Sequence, residues 1–221
     1  MALWLHVHGG YPSYAESGEP WRQSDWDGFN LVKALKGHPF NGYATLQTVG
    51  GQWLTVRAND RAPGFRIFGE WAAHKLNQLG LGQGVLIAVP ASSCVAFGGD
   101  PKGAALAEAI RVRSPGFTTE DALHWREAKG KTAEGGTRDA AVLQANLSVK
   151  QGPPSRIVLV DDVATSGGHL LACARALRAQ GHTVEHALCI AQTVWNHPPD
   201  MWAIEARDLE ANPFANLIFG T

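Results

Sequence analysis

The sequence predicts an α/β fold, a parallel sheet flanked by helices. Two apolar runs of strand length carry that prediction, Val85-Leu86-Ile87-Ala88-Val89 and Ile157–Val160. Neither alternates polar with apolar positions, as expected of strands buried on both faces. Each leads through a loop into a segment of helical period, and a third strand, Val184–Ala191, closes the series. Strand–helix–strand–helix order at this spacing is the pattern of parallel strands joined by helical crossovers.

Residues 1–40 show little period, with Trp4, Trp21 and Trp26 set among Gly, Pro and Ser. Tyr43–Leu46 and Trp53–Arg57 read as two strands of a hairpin around Val49-Gly50-Gly51. Phe68, Trp71, Ala72, Leu76 and Leu79 are spaced as one helix face, and Gly80 ends it. After the Val85–Val89 strand comes a loop from Pro90 to Pro101, then a helix Gly103–Arg111 with Ala104, Leu106, Ala107 and Ile110 inward. Thr119–Trp125 opens a short element. Arg126–Gly136 is polar, basic and glycine-rich, and reads as a mobile loop. Asp139–Ala145 is weakly helical. The Ile157–Val160 strand is followed by the loop Asp161–His169 and a helix Leu170–Gln180. That helix carries Leu170, Cys173, Ala174 and Leu177 on one face and is capped by Gly181.

The length, 221 residues, fits a single domain over 1–221. Apolar residues make up 45% and charged residues 18%, so the chain can build a core. Lys and Arg number 19 against 20 Asp and Glu, which argues against coating nucleic acid or anionic lipid. Cys94, Cys173 and Cys189 form no C-x-x-C pair and read as buried thiols in a reducing compartment. The opening MALWLHVHGG lacks the basic flank of a secretory signal, and the longest apolar runs are far too short to span a membrane. The expectation is a cytoplasmic protein with neither membrane nor nucleic-acid partners.

Chemistry concentrates in Ile157–His169. A buried strand delivers Asp161 and Asp162, and Val163-Ala164 leads into Thr165-Ser166-Gly167-Gly168-His169 and then a helix. Amides at a helix start favour an anion, and glycines let the backbone come close to it. Paired carboxylates accept hydrogen bonds from vicinal hydroxyls, so the pattern suits a sugar phosphate. Adjacent acids at a strand end are costly without such a task. Receiver domains also pair acids at a strand end, but early in the domain, whereas this pair lies late in the chain.

The run of thirteen residues resembles the phosphoribosyl-pyrophosphate (PRPP) signature of type I phosphoribosyltransferases: four apolar residues, two acids, two apolar residues, then Thr-Ser-Gly. The resemblance implies that Asp161 and Asp162 hold the ribose hydroxyls. It implies that Thr165, Ser166, Gly167, Gly168 and His169 hold the 5′-phosphate, with Ala164 also among the PRPP-binding residues. His169 stands where a Thr or Ser is usual, which removes a hydroxyl. Trp125-Arg126-Glu127-Ala128-Lys129-Gly130-Lys131-Thr132-Ala133-Glu134-Gly135-Gly136 resembles the catalytic loop of orotate phosphoribosyltransferases, with one residue inserted. Mobile Lys129 and Arg126 would then clamp the departing pyrophosphate. Gly99-Asp100-Pro101-Lys102-Gly103 resembles the pyrophosphate loop and makes Lys102 a PRPP-binding candidate, with Pro90-Ala91-Ser92-Ser93 competing for that place.

Membership of that family implies a core over 85–191, a small N-terminal hood over 1–65 that recognises the acceptor, Mg2+ carried by PRPP, and a homodimer. The acceptor is a nucleobase-like molecule of open identity. Thr165 stands where the 6-oxopurine enzymes place an acid, and Leu46-Gln47-Thr48-Val49-Gly50 lacks the lysine of the orotate enzymes. Two further readings are a PRPP-binding regulator without turnover and a competence-associated relative of the same fold. Gly130-Lys131-Thr132 lacks the first glycine of a P-loop, since position 125 is Trp. Gly80-x-Gly82-x-Gly84 precedes its strand, so it is no dinucleotide fingerprint. His6 and His8 would share one strand face, but no third metal ligand is near in sequence. Trp195 and Trp202 are candidates for lining a base pocket.

Overall fold

A computed structural model describes residues 1–14, 20–129 and 139–211. Its centre is a six-stranded sheet in the order β10-β1-β9-β8-β4-β5. The strands are β1 (Trp4–Pro12), β4 (Gly84–Ala88), β5 (Phe117–Thr119), β8 (Arg156–Ala164), β9 (Thr183–Val194) and β10 (Arg207–Asp208). All neighbours pair parallel except β10, which runs antiparallel to β1. Two hairpin-sized sheets stand apart: β2 (Ala44–Gln47) with β3 (Trp53–Val56), and β6 (Leu123–Trp125) with β7 (Leu147–Val149). No helix among the described residues is long and apolar enough to cross a membrane.

The two apolar strands pair with each other, and their period of two sorts their side chains onto two cores. On one face Ile157 and Leu159 of β8 join Ile87 of β4 and Leu170, Cys173, Ala174 and Leu177 of α5 (Gly168–Arg178). On the other face Val158, Val160 and Leu86 meet α1 (Gln23–Lys36), α2 (Ala62–Gln78) and α3 (Pro101–Arg111), through Leu31, Leu35, Phe68, Leu76, Leu106 and Ile110. Each large side chain buried this way contributes on the order of 1.5–3 kcal/mol. The short α4 (Ala140–Ala145) is capped at its start by the Asp139 carboxylate. Cys94, Cys173 and Cys189 are free and buried.

Most of the expected elements begin within a few residues of where the periodicity put them, but α2 starts at Ala62, six residues before Phe68, and α1 lies in the stretch that showed little period. Three further features differ. First, β1 lies inside the main sheet, between β9 and β10, so the stretch read as an N-terminal hood over 1–65 does not all stand outside the core. What lies outside the sheet is α1 and the β2–β3 hairpin. The inner face of β1 carries Leu5 and Val7, but its other face carries His6, His8 and Gly10 in place of aliphatic residues, and this masks a buried strand. The close approach of α1 to Gly10 requires a glycine at position 28 of the helix. A Cβ on Gly28 of α1 would lie 2.6 Å from the Gly10 carbonyl oxygen, so helix and strand meet backbone to backbone. Second, β8 runs on to Ala164, so the acid pair stands within the strand and not beyond it. Third, Trp125, which ends the short element expected over Thr119–Trp125 and heads the stretch resembling the catalytic loop, is fully buried on β6 and belongs to the core.

The histidines of β1 are held neutral. His6 is 6% exposed and shares a 3.2 Å hydrogen bond with His186 of β9. Burial, then His186, then Lys75 lower its pKa to about 4. His8 lies between Trp71 and Trp202, at 5.5 and 5.2 Å between ring centres, and burial lowers it to about 4 as well. An unfolded chain binds these protons near pH 6.5, and the folded chain refuses them until about pH 4. The unfolded state therefore carries the greater number of protons in that window, and stability falls as pH falls through it. The expected loss is at most about 1.4 kcal/mol per pH unit for each histidine. Urea unfolding at pH 7 and pH 5 should show a lower midpoint at pH 5, and the His8→Phe variant a smaller drop. Equal midpoints for the wild type would refute the coupling.

Candidate active site

The chain order of the sheet diverges between β4 and β8, since β5 lies beyond β4 and β9 beyond β8. Open parallel sheets bind ligands in the crevice at the carboxyl ends of such strands. A cavity of about 600 Å³ lies there, lined from β4's end by Pro90, Ala91 and Ser92, from β8 by Asp161, Asp162 and the loop to His169, and from β9 by Thr193.

Asp161 and Asp162 stand at consecutive strand positions, so they leave opposite faces of β8. Asp162 points to the α1 side, where Lys36 meets it at 3.0 Å. Asp161 points to the α5 side. Its carboxylate accepts the Asp162 amide at 2.8 Å, and the Asp162 carboxylate accepts the Val163 amide at 2.6 Å. Burial, and then the neighbouring Asp162, raise the Asp161 carboxyl well above the usual carboxylate range. The pair therefore offers one group that keeps a proton readily and one held against a lysine. Together they can donate to and accept from neighbouring hydroxyls.

The loop after β8 turns at Gly167, whose φ of +83° and position as cap of α5 require glycine. Ser166 Oγ accepts the Gly168 amide at 3.3 Å, and the hydroxyls of Thr165 and Thr193 lie 3.1 Å apart. The first amides of a helix have no acceptor within it and favour an anion. Ala164, Thr165, Ser166, Gly167, Gly168 and His169 all line the cavity. Burial, with the charge of Lys129 as the next cause, lowers His169 to about 4, so its ring is neutral near pH 7.

The two competing loop candidates both border the cavity and are joined to each other. Asp100 caps α3 by accepting the Gly103 amide at 3.0 Å, and it accepts the Ala91 amide at 3.0 Å. Lys102 is exposed and lines the cavity beside Gly103. Opposite stand four residues that the sequence did not single out: Tyr11 of β1, Lys33 and Lys36 of α1, and His38 just past it. Burial, then the charges of Lys36, Lys102 and Lys33, lower the His38 pKa. Tyr11 stacks on Phe29 with ring centres 5.6 Å apart. The signal for this wall was present as lysines at i and i+3 near a helix end. Nothing local linked that helix to the acid pair.

Arg126 and Lys129 are placed differently from the cavity residues. Arg126 is exposed and away from the cavity wall. Its amide donates to the Asn146 carbonyl at 2.8 Å, and Asn146 also exchanges side-chain bonds with Glu127. The Lys129 amide donates to the Ser92 carbonyl at 3.0 Å. Residues 126–129, read as the start of a mobile loop, are thus tied down on both sides. Lys131, Glu134, Gly135 and Gly136 lie outside the described residues. The Lys129 ammonium sits 3.1 Å from the centre of the Trp125 ring, off the cavity wall but close enough to affect His169. Trp125 holds its place by donating its indole N–H to the Pro90 carbonyl at 3.0 Å. Trp202 packs on His8, and Trp195 is 43% exposed; neither lines the cavity.

No protein-family model matches the chain, and no curated protein matches it. Solved structures similar to it include adenine phosphoribosyltransferase from Thermoanaerobacter pseudethanolicus, 16% identical, over 68% of this chain and 83% of that one, with a TM-score of 0.35. UMP synthase from Leishmania donovani is 17% identical over 85% of this chain and only 33% of its own, with a TM-score of 0.40. Adenine phosphoribosyl transferase from Trypanosoma brucei, solved with AMP, pyrophosphate and ribose-5-phosphate, is 14% identical over 79% of this chain and 84% of that one, with a TM-score of 0.43.

The Lys129 amine provides a test of the site's geometry. Burial lowers its pKa to about 8, and its nitrogen has no hydrogen-bond partner among the described residues. The Lys129 side chain followed by NMR should lose its proton with a midpoint near 8. Titration at the ordinary lysine value of about 10.4 would mean that the ammonium does not rest on Trp125.

Proposed function

We propose that the chain is a phosphoribosyltransferase. It would move the 5-phosphoribosyl group of PRPP to a nitrogen of a nucleobase-like acceptor and release pyrophosphate. One observation carries this reading: an acid pair and a glycine- and hydroxyl-rich helix start line the same cavity at the carboxyl ends of parallel strands. That arrangement suits a ribose held by carboxylates with its 5′-phosphate on amides. In this reading Asp161 and Asp162 take the ribose hydroxyls, and residues 164–169 take the phosphate. The diphosphate falls between Lys102 and the α1 wall of Lys33, Lys36 and His38.

The bond from C1 to the diphosphate oxygen breaks, and a bond from C1 to the acceptor nitrogen forms. The diphosphate leaves with the electron pair, and the acceptor's N–H proton passes to solvent. Positive charge on the sugar ring and negative charge on the leaving group grow together, so fixed lysines near the diphosphate stabilise the transition state. Lys129 joins them by leaving the indole face for the leaving group. The residues present fit a magnesium ion that arrives on the diphosphate, because the nearby donors are carboxylate oxygens suited to a hard cation. No cluster of three His, Cys, Asp or Glu among the described residues would cage a metal alone. Asp161 and Asp162 would face the ion, whose chemistry there is to neutralise leaving-group charge. A cytoplasmic homodimer is part of the same proposal.

A second reading is binding without turnover, as in a PRPP-responsive regulator. It is favoured by the position of Arg126 and Lys129 off the cavity wall. A labelled-PRPP assay against a nucleobase panel, with and without Mg2+, separates the two. Transfer to a base supports the enzyme, and PRPP binding with no transfer to any base supports the regulator.

The substitutions Asp161→Asn and Asp162→Asn together should weaken PRPP binding by about 2–4 kcal/mol, the value of one charge-assisted bond from Asp162 and one neutral bond from Asp161. Calorimetry on the folded variant showing unchanged affinity would move the ribose elsewhere. Lys129→Ala should lower kcat by about 10²–10³-fold while PRPP affinity changes far less, since only charge that develops in the transition state is lost. Steady-state kinetics with kcat unaltered would take Lys129 out of the reaction.

A further inference from the structure

The loop 165–169 rests on a segment some forty residues further along the chain. β10 pairs with β1 at Trp4 and Leu5, and the Leu209 amide donates to the Leu3 carbonyl at 2.9 Å. The Asp208 carboxylate accepts the amides of Leu3 and Glu210 at 3.0 and 2.9 Å. Glu210 is gripped from the last turn of α5 by Arg175 at 2.6 Å and Arg178 at 2.9 Å. The segment is therefore pinned at one end to the sheet and at the other to the helix that begins at the loop.

Between these anchors two side chains reach the loop from behind. Leu209 is 1% exposed, and its methyls fill the space next to Gly167. A Cβ on that glycine would lie 2.8 and 2.9 Å from them. The Arg207 guanidinium donates to the Thr165 carbonyl at 3.3 Å. Neither residue lines the cavity. The contacts fall on Thr165 and on the left-handed Gly167, the two points that set the direction of the loop's amides. A short loop of small residues costs about 1–2 kcal/mol per residue to order. A support already in place removes much of that cost from the binding step.

We propose that Arg207 and Leu209 are positioning residues for phosphate capture, holding the 165–169 backbone from behind in the form that presents its amides to a phosphate monoester. This rests on the reading of that loop as the 5′-phosphate site. It adds a determinant that lies outside the signature and touches no ligand.

The test titrates the full chain with ribose 5-phosphate and separately with magnesium pyrophosphate, by calorimetry. Leu209→Ala and Arg207→Met should each weaken ribose 5-phosphate by about tenfold or more. Pyrophosphate affinity should stay within about twofold, because its proposed contacts lie on other loops. Leu209→Met, which refills the space beside Gly167, should restore ribose 5-phosphate binding. Should Leu209→Ala not fold, Leu209→Val and Arg207→Lys are compared in its place. Folded variants that bind ribose 5-phosphate as the wild type does, or that lose both ligands together, would overturn the positioning role alone. A wild type that binds pyrophosphate but not ribose 5-phosphate, or neither, would refute the phosphate-loop reading itself, and the positioning role with it.

Discussion

β8 is buried on both faces, and this constraint places everything at the cavity. Ile157 and Leu159 commit one side to α5, and Val158 and Val160 commit the other to the α1–α3 layer. A register slip of one residue would exchange these two sets of side chains between the cores. The strand is fixed between β4 and β9, and its next two residues must fall at the crevice, one on each side. Two carboxylates arrive there as a consequence of apolar packing behind them. Their mutual repulsion is met at Asp162 by Lys36 and the Val163 amide, and at Asp161 by the Asp162 amide.

Local sequence revealed the part of the fold that local physics determines. The apolar runs, the helix faces and the glycine stops gave β4, β8, β9, α3 and α5 within a few residues, and the second half of α2. β1 was lost because one of its faces carries histidines and glycine, whose burial depends on Trp71, Trp202 and α1 arriving from elsewhere. The site divided the same way. Residues 161–169 are contiguous, so strand, acids and helix start could be read as one unit. Tyr11, Lys33, Lys36 and His38 belong to the cavity only because α1 folds over the end of β8, a long-range fact that no short window contains.

Trp125 joins the end of a short strand to the stretch that resembles a catalytic loop. In sequence it opens a charged, glycine-rich stretch. In the fold it is a core side chain that meets Pro90, His169 and Lys129 at once. The strand-end loop, the helix start and the lysine thus share one rigid neighbour. A change at Trp125 is expected to be felt in all three, which separates it from a surface-loop position where substitutions are usually absorbed.

The margins of the main sheet also decide how copies of the chain can meet. Unpaired strand edges invite another chain to add a strand. Here β5 is only three residues long, and on the far side β10 covers the start of β1. Further along β1 the Met201 carbonyl takes the Gly10 amide at 2.8 Å, and the strand ends in Pro12, which has no amide hydrogen to give. The sheet is blunted at both sides, so edge-to-edge polymerisation is disfavoured, and self-association would have to proceed through side chains on helices and hairpins.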